Sequence, residues 1–307
     1  MKQIITAIAQ TLADSNGNDA RRCFHGRGQC FDGLGFINVD WFNPVLLVTL
    51  YQSPDESLWS EFVADLTPFR QEIGSVLVQR RYLRGGPIEA LWGGIPAEAQ
   101  AVEQGLKFEL AFGGKQNFGF FLDMAPGREW LKRRAENKRV LNLFSYTCSF
   151  SVAAIAGGAN TVLNVDMSKA ALDVGRENHR LNGQQQRLAR DVQFFPYDLF
   201  RSWKKIISRG PFDLVIIDPP SRQKGSFIAE TDYGKVIRRL PALMPDGGAI
   251  LACLNAPELD QGFLFDLFER ECPEAVFVER LENRADFPET DTGRSLKMLH
   301  YTLAAAQ

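Results

Sequence analysis

No stretch of this 307-residue chain holds the roughly 18 consecutive apolar residues that a membrane-spanning helix needs. The opening Met1-Lys2-Gln3-Ile4-Ile5 lacks the long apolar core and the cleavage pattern of an export signal. Cysteine is scarce: Cys23, Cys30, Cys148, Cys253 and Cys272 form an odd, scattered set, which excludes a secreted disulfide framework. Cys23, His25 and Cys30 lie close together, but neither spacing is C-x2-C and no fourth ligand stands near them. They read as ordinary thiols in a hairpin, and no metal is expected. There is no internal repeat and no low-complexity tract. A soluble cytoplasmic protein is expected, with no membrane partner and with its oligomeric state left open.

What is present is ample apolar material. The chain is 45% hydrophobic and carries 23 Phe, 6 Tyr and 5 Trp, which excludes a disordered polymer. Its length suits one large domain or two unequal ones. The net charge is only −2, from 35 Lys+Arg against 37 Asp+Glu, but it is unevenly spread. Gly127–Arg139 has six basic residues (Arg128, Lys132, Arg133, Arg134, Lys138, Arg139) against Glu129 and Glu136. Arg201–Arg239 has nine basic against four acidic residues, and Glu258–Asp291 has eleven acidic against three basic. Each run alone reads as a solvated face, yet together they allow a basic surface turned toward a polyanion.

Two regions differ in pattern. Residues 1–20 form an N-terminal helix with Ile4, Ile5, Ile8 and Leu12 on one face, ended by Asn16-Gly17. Residues 21–125 read as a small α+β domain. Its expected strands are Gln29–Val39, Pro44–Tyr51, Val76–Tyr82, Ile88–Leu91 and Lys107–Ala111, with an amphipathic helix over Ser57–Gln71. Residues 126–307 open with a basic helix, Arg128–Ala135, and then alternate. Strands at Val140–Phe144, Thr161–Asp166, Val192–Pro196, Leu214–Asp218 and Ala249–Leu254 are separated by helices at Phe150–Ala156, Ser168–Leu181, Leu199–Ser208 and Tyr233–Leu243. A helix at Gly262–Glu271 and strands at Ala275–Leu281 and Leu296–Thr302, an antiparallel edge pair, complete the region. Continuous apolar strands that alternate with helices predict an α/β fold, a doubly wound and mostly parallel sheet covered on both faces.

Ligands of such sheets bind beyond the carboxyl ends of the strands. Four successive strands end in polar groups: Asn142-Leu143-Phe144-Ser145-Tyr146-Thr147-Cys148, Asn164-Val165-Asp166, the turn to Asp198, and Asp218-Pro219-Pro220. Ser168 is the better cap for its helix, which leaves Asp166 for a ligand. The first strand-helix turn has no glycine, so it is not a dinucleotide fingerprint, and it has no Lys-Ser/Thr pair, so it is not a P-loop. Asp166 stands 24 positions after Asn142, a spacing suited to ribose hydroxyls. A nucleoside without phosphates fits, and S-adenosylmethionine is one.

Gly119-Phe120-Phe121-Leu122-Asp123, Val140–Thr147, Asn164-Val165-Asp166-Met167-Ser168, Glu177-Asn178-His179 with Asn182-Gly183, and Asp218-Pro219-Pro220 together resemble one family. It is the class I S-adenosylmethionine-dependent methyltransferases of the 23S ribosomal RNA type, the RlmI and RlmK group. The resemblance covers residues 105–302, and more loosely the small domain over residues 22–111. It implies a seven-stranded catalytic sheet preceded by that domain. The N-terminal RNA-binding domain of some relatives is expected to be absent. By the resemblance, Phe144, Ser145, Tyr146 and Thr147, with Asn142 before them, pack around the methionine part of the cofactor. Asp166, with Met167 and Ser168, takes the ribose; Asp198, with Leu199, takes the adenine; Phe121 and Asp123 close over the cofactor. Two departures stand out. Cys148 replaces a common glycine, and Met124-Ala125 replaces a common Gln-Arg, while Arg128 keeps the later arginine.

The expected chemistry is displacement at a sulfonium methyl, in which positioning supplies most of the rate. Asp218 and the carbonyl of Pro219, with Pro220 stiffening the turn, can accept hydrogen bonds from an exocyclic amine. Ser221 stands where an aromatic often follows, so stacking is assigned to Phe227 or Tyr233. Cytosine C5 chemistry uses a thiolate that adds to the ring, and the resemblance implies a cysteine for it just past the fifth strand; Asn255 occupies that place, and Cys253 reads as a packing residue. Transfer to nitrogen or oxygen is therefore favoured, with ribosomal RNA as the leading substrate. A protein or small-molecule substrate, or a non-catalytic cofactor- or RNA-binding module, are the alternatives. Arg128, Arg222 and Lys224 are assigned to RNA.

Overall fold

A computed structural model describes residues 1–14, 18–113, 117–223 and 227–304. Chain contacts divide them into two units, one of residues 1–122 with 284–291, the other of residues 123–283 with 292–307. The expected helix end at Asn16-Gly17 and the site residue Lys224 lie outside the described residues.

The first unit comprises α1 (Lys2–Ala13), β1 (Arg21–His25), β2 (Ile37–Phe42), β3 (Val45–Leu50), α2 (Glu56–Leu66), β4 (Ser75–Arg80), β5 (Ile88–Trp92) and the hairpin β6 (Ala99–Glu103) and β7 (Leu106–Leu110). Strands β1 to β5 form one sheet in chain order, antiparallel except for the parallel pair β3 and β4. The helix over residues 1–20 is thus shorter than expected and is part of this unit. Its Ile4 and Ile8 pack with Phe24, Trp41, Phe62 and Leu66 in one core. Asp55 caps α2, accepting from the N–H groups of Ser57 at 2.9 Å and Leu58 at 3.1 Å.

The strand expected over Gln29–Val39 begins only at Ile37, and β1 lies before it, outside every expected strand. The cause is backbone crowding in the turn between them. A Cβ on Gly26 would stand 2.0 Å from the Leu34 carbonyl oxygen, and one on Gly28 would stand 1.8 Å from that of Pro288. Residues 284–291, expected within the second domain, belong to this unit through such contacts and through Asp286, which accepts from the Arg22 N–H at 3.0 Å.

The second unit follows α/β alternation: α3 (Ala125–Arg134), β8 (Arg139–Leu143), α4 (Ser149–Ala156), β9 (Thr161–Val165), α5 (Lys169–Leu181), α6 (Gln185–Arg190), β10 (Val192–Phe195), α7 (Leu199–Ile207), β11 (Leu214–Ile217), the two-residue strands β12 (Arg222–Gln223) and β13 (Phe227–Ile228), α8 (Ala229–Ile237), α9 (Leu240–Leu243), β14 (Ala249–Leu254), α10 (Gln261–Glu271), β15 (Ala275–Arg280) and β16 (Lys297–Leu303). The seven-stranded sheet has the order β10-β9-β8-β11-β14-β16-β15, and β16 runs antiparallel to both its neighbours. The order reverses between β8 and β11, which makes their carboxyl ends the place for a ligand.

Both faces are covered, and the strand side chains alternate between them. Leu141, Leu143, Val215, Ile217, Ile250 and Ala252 enter the core under α7 to α10. Val140, Leu214, Ile216, Leu251 and Cys253 enter the core with Trp130 and Leu131 of α3 and Phe150 of α4. The helix expected over Tyr233–Leu243 is broken. It starts earlier, at Ala229, and a second turn begins at Leu240, because Pro241 cannot donate to the preceding turn.

Candidate functional site at the carboxyl edge of the seven-stranded sheet

The turn after β8 is shaped by unusual backbone. Phe144, Tyr146 and Cys148 all have left-handed φ values, 57°, 46° and 62°. Each is a non-glycine residue in a region that costs free energy unless the surroundings hold it. Several contacts do so. The Ser145 N–H donates to Val165 O at 3.1 Å, and the Cys148 N–H to Ser145 O at 2.7 Å. The Tyr146 N–H donates to Asp166 Oδ2, and Asn178 Nδ2 donates to Thr147 O, each at 2.8 Å. Cys148 thus adopts the conformation for which glycine is suited. Its side chain fits because α5 carries Gly175 beside it, where a Cβ would stand 2.5 Å from the Cys148 sulfur. Burial pushes the Cys148 thiol well above its ordinary pKa, so it is a packing group.

Asp166 ends β9 and accepts two backbone bonds, Tyr146 N–H on Oδ2 and Ser168 N–H on Oδ1 at 2.8 Å. A carboxylate has about four acceptor positions, so both oxygens retain capacity for a diol. Ser168 caps α5, accepting from the Ala171 N–H at 3.2 Å, and Met167 beside it is exposed. Asp198 is more occupied than expected. Its Oδ1 caps α7 by accepting from the Phe200 N–H at 2.9 Å, and its Oδ2 lies 3.3 Å from the exposed Arg201. Leu199 is buried in the core below. Phe121 belongs to the first unit and is exposed there.

Asn142 does not reach the edge, because side-chain alternation turns it into the sheet, where it is 1% exposed. Its Nδ2 donates to Asn164 Oδ1 at 2.9 Å, and Asn164 Nδ2 donates to Ser151 Oγ at 3.0 Å. Ser151 Oγ lies 2.9 Å from His179 Nε2, and His179 Nδ1 lies 2.6 Å from Gln184 Oε1. An amide oxygen only accepts, so Nδ1 carries the imidazole proton, and the Ser151 hydroxyl donates to Nε2. This buried relay stiffens the base of the turn. None of it is a single sequence motif.

The second half of the site lies where β11 and β14 end. Asp218 is partly buried and, among the described residues, makes no hydrogen bond. Burial, then the charge of Asp123, raise its pKa to about 7, while the Arg128 guanidinium opposes them. Asn255 Nδ2 lies 3.5 Å from Asp123 Oδ2. Pro219 is buried and Pro220 exposed. Beneath them the Tyr233 hydroxyl sits 3.0 Å from Cys253 O and 3.3 Å from Ile217 O and ties the two strands together.

Several expectations need correction. Arg128 is 2% exposed, so it is not a surface contact for phosphate but the buried cation beside Asp218. A Cβ on Gly127 would lie 3.2 Å from both the Met298 sulfur and the Phe150 ring, so α3 packs close enough to deliver it. Phe227 and Tyr233 are both buried and cannot stack on a base as they stand. Phe227 instead packs edge-on against Phe144 at 5.0 Å. Arg222 is exposed and paired with Glu230 at 3.4 Å. Cys253 is fully buried, and its thiol is held well above its ordinary pKa by burial and then by the charges of Asp218 and Asp123.

The donor set suits a nucleoside with a cationic sulfonium: a diol acceptor at Asp166, a glycine-free turn with no phosphate cradle, and carboxylates at Asp123 and Asp218. The comparisons agree. Residues 21–302 match the family model described as S-adenosylmethionine-dependent methyltransferase. The ribosomal RNA large subunit methyltransferase I of Cronobacter sakazakii is 30% identical over 297 residues, covering 90% of this chain and 72% of that one. A solved structure described as an S-adenosylmethionine-dependent methyltransferase from Streptococcus mutans superposes with a TM-score of 0.86 at 25% identity, over 98% of this chain and 80% of that one. Another, a methyltransferase complexed with S-adenosylhomocysteine, gives 0.85 at 25% identity, over 98% and 81%.

Proposed function

The chain belongs to the S-adenosylmethionine-dependent methyltransferases, and from that premise we propose that it methylates an exocyclic amine of a base in large-subunit ribosomal RNA. The RNA substrate is carried over from the relatives named ribosomal RNA large subunit methyltransferase I. The observation that carries the amine is Asp218, a desolvated carboxylate at the end of β11 without a hydrogen bond among the described residues.

S-adenosylmethionine supplies an electrophilic methyl on a sulfonium. Asp166 would hold the ribose hydroxyls, and the turn 144–147, pinned to Asp166 and Asn178, would flank the rest of the cofactor. Asp218 and the Pro219 carbonyl accept the two amine hydrogens, which points the nitrogen lone pair outward along the line of attack. As the new N–C bond forms, the S–CH3 bond would break and its electron pair would leave with sulfur as a neutral thioether; the amine nitrogen would become cationic, and Asp218 is placed to take its surplus proton. Asn255, beside Asp123, completes the rim. The high pKa of the buried Cys253 thiol favours this direct transfer over covalent attack on a ring carbon.

Mass spectrometry of nucleosides from ribosomal RNA tests the reading. A deletion strain should lack one base carrying an N-methyl group, and the purified chain should restore it with labelled cofactor. Restored label on protein or small molecules alone would assign the site to another substrate.

A further inference from the structure

We propose that the first unit has its own contact surface for single-stranded RNA, formed by Arg27, Arg81 and Arg84 around Tyr51 at the edge where β3 and β4 end. The inference rests on the RNA reading above and extends it to residues outside the methyl-transfer site.

The edge is built by strand register. β3 and β4 are parallel with Leu50 opposite Arg80, so Tyr51 and Arg81 leave the sheet side by side, and the Arg81 N–H donates to Leu50 O at 2.8 Å. β2 starts at the same edge, with Ile37 opposite Leu50. The next residue, Asn38, is buried and does two jobs. Its Nδ2 donates to the Tyr51 hydroxyl, and its Oδ1 accepts from the Arg27 N–H, each at 3.3 Å. The aromatic ring and the short helical turn carrying Arg27 are therefore fixed by one side chain.

Two guanidinium groups lie over that ring, Arg27 at 4.5 Å and Arg81 at 5.6 Å from its centroid. A guanidinium stacked on an aromatic face has already lost much of its rotamer freedom, so its fork of donors is set for a phosphate at lower ordering cost. Sharing one ring keeps the two groups close enough to meet neighbouring phosphates of one strand. Arg84 is exposed on the adjoining turn, closed by Gly86 N–H to Leu83 O at 3.0 Å. A Cβ on Gly85 would meet nothing within 4 Å, so the turn leaves room for a backbone to approach.

Two carboxylates close in sequence to this edge are held by other groups. Glu89 binds Arg80 Nε at 3.0 Å, while Asp55 caps α2. Stacked, planar donors beside an aromatic suit a nucleic-acid strand better than an acidic peptide, which offers carboxylates but no bases to cover the guanidinium faces.

The test uses the full chain and a short, labelled single-stranded RNA of mixed sequence, followed by fluorescence anisotropy across a salt series. The double variant Arg27→Gln, Arg81→Gln should bind roughly tenfold more weakly. Its log-log salt slope should be shallower by about 1.4, since each phosphate contact on a single strand contributes about 0.7. Arg84→Glu, on an exposed turn, gives an independent variant with a loss in the same direction. Calorimetric affinity for the cofactor and the unfolding midpoint should match the unaltered chain. An unaltered chain that binds RNA with steep salt dependence, together with variants that bind equally well, would overturn this surface and leave the RNA reading intact. Absence of salt-dependent RNA binding by the unaltered chain would overturn both. Polyglutamate competing as strongly as RNA would assign the edge to an acidic protein and also overturn the proposal.

Discussion

Tyr146 donates its backbone N–H to the Asp166 carboxylate at 2.8 Å, so the group that ends β9 also sets the shape of the turn that ends β8. The Ser168 N–H on the other oxygen anchors the carboxylate to the start of α5. Ligand acceptor and turn geometry therefore depend on one side chain.

Asp166→Ala should accordingly weaken S-adenosylmethionine binding by roughly 1.5–3 kcal/mol from the lost charged hydrogen bonds. The turn, with three left-handed residues to hold, should also loosen, which amide exchange at Tyr146 would report. A calorimetric dissociation constant unchanged from the parent chain would contradict both parts.

Asp218 makes activity and stability depend on pH in opposite directions. It must be ionised to accept an amine hydrogen, so kcat/KM should rise through an acid limb near the pKa of about 7. Arg128→Met removes the cation that opposes the rise and should move that limb to higher pH, while Asp123→Asn removes a like charge and should move it lower. For stability, the folded pKa lies above the unfolded value of 3.8. This group's contribution is therefore fully present below that value and is lost as pH rises through about 7. Asp218→Asn should thus stabilise the fold at pH above 7, by on the order of 1–3 kcal/mol, while abolishing turnover. Chemical denaturation at two pH values with a methyl-transfer assay checks both.

Cys253→Ser should retain methyl transfer, because a thiol held far above its ordinary pKa contributes no thiolate at neutral pH. Its cost should fall on the fold, about 1–3 kcal/mol for a hydroxyl placed among apolar neighbours. A variant that binds the cofactor, remains folded and is inactive would instead point to covalent chemistry. Mass spectrometry of a trapped RNA adduct would distinguish the two.

Much of the catalytic sheet was legible in the sequence because β8, β9, β11 and β14 are short apolar runs that end abruptly in polar residues. Covering both faces with helices requires that pattern, and the polar ends mark the ligand edge. Other features left no comparable trace. β1, Arg21-Arg22-Cys23-Phe24-His25, has no apolar alternation, because its burial depends on neighbours distant in sequence. The left-handed residues after β8 are Phe, Tyr and Cys, and none of these announces a positive φ as glycine would. Arg128 lies in a run of six basic residues that reads as a solvated face, and only the close packing of α3 allowed by Gly127 reveals it as a buried cation whose charge acts on Asp218. Asp198 was visible as polar, but its use as a cap depends on where α7 begins.

The relay from Asn142 to Gln184 yields the last prediction. His179 is buried, and burial lowers its pKa to about 4, although the Gln184 bond acts the other way. A proton on Nε2 would face the Ser151 hydroxyl, which already accepts from Asn164, and would force that hydroxyl to give up its only acceptor in the relay. Because the folded pKa is below the ordinary 6.5, the stability this group contributes is present above 6.5 and is lost as pH falls toward 4. The slope in that window should approach 1.4 kcal/mol per pH unit, the limit for one proton. His179→Phe should remove that slope, so that the variant's curve runs flatter than the parent's between pH 6.5 and 4.5, and it should lower stability at pH 8 by about 1–3 kcal/mol, since Ser151 and Gln184 each lose a partner. The measurement is urea denaturation at pH 8, 6.5, 5.5 and 4.5 for both chains. Parallel curves would mean that His179 titrates as an exposed histidine does and that the relay does not hold it neutral.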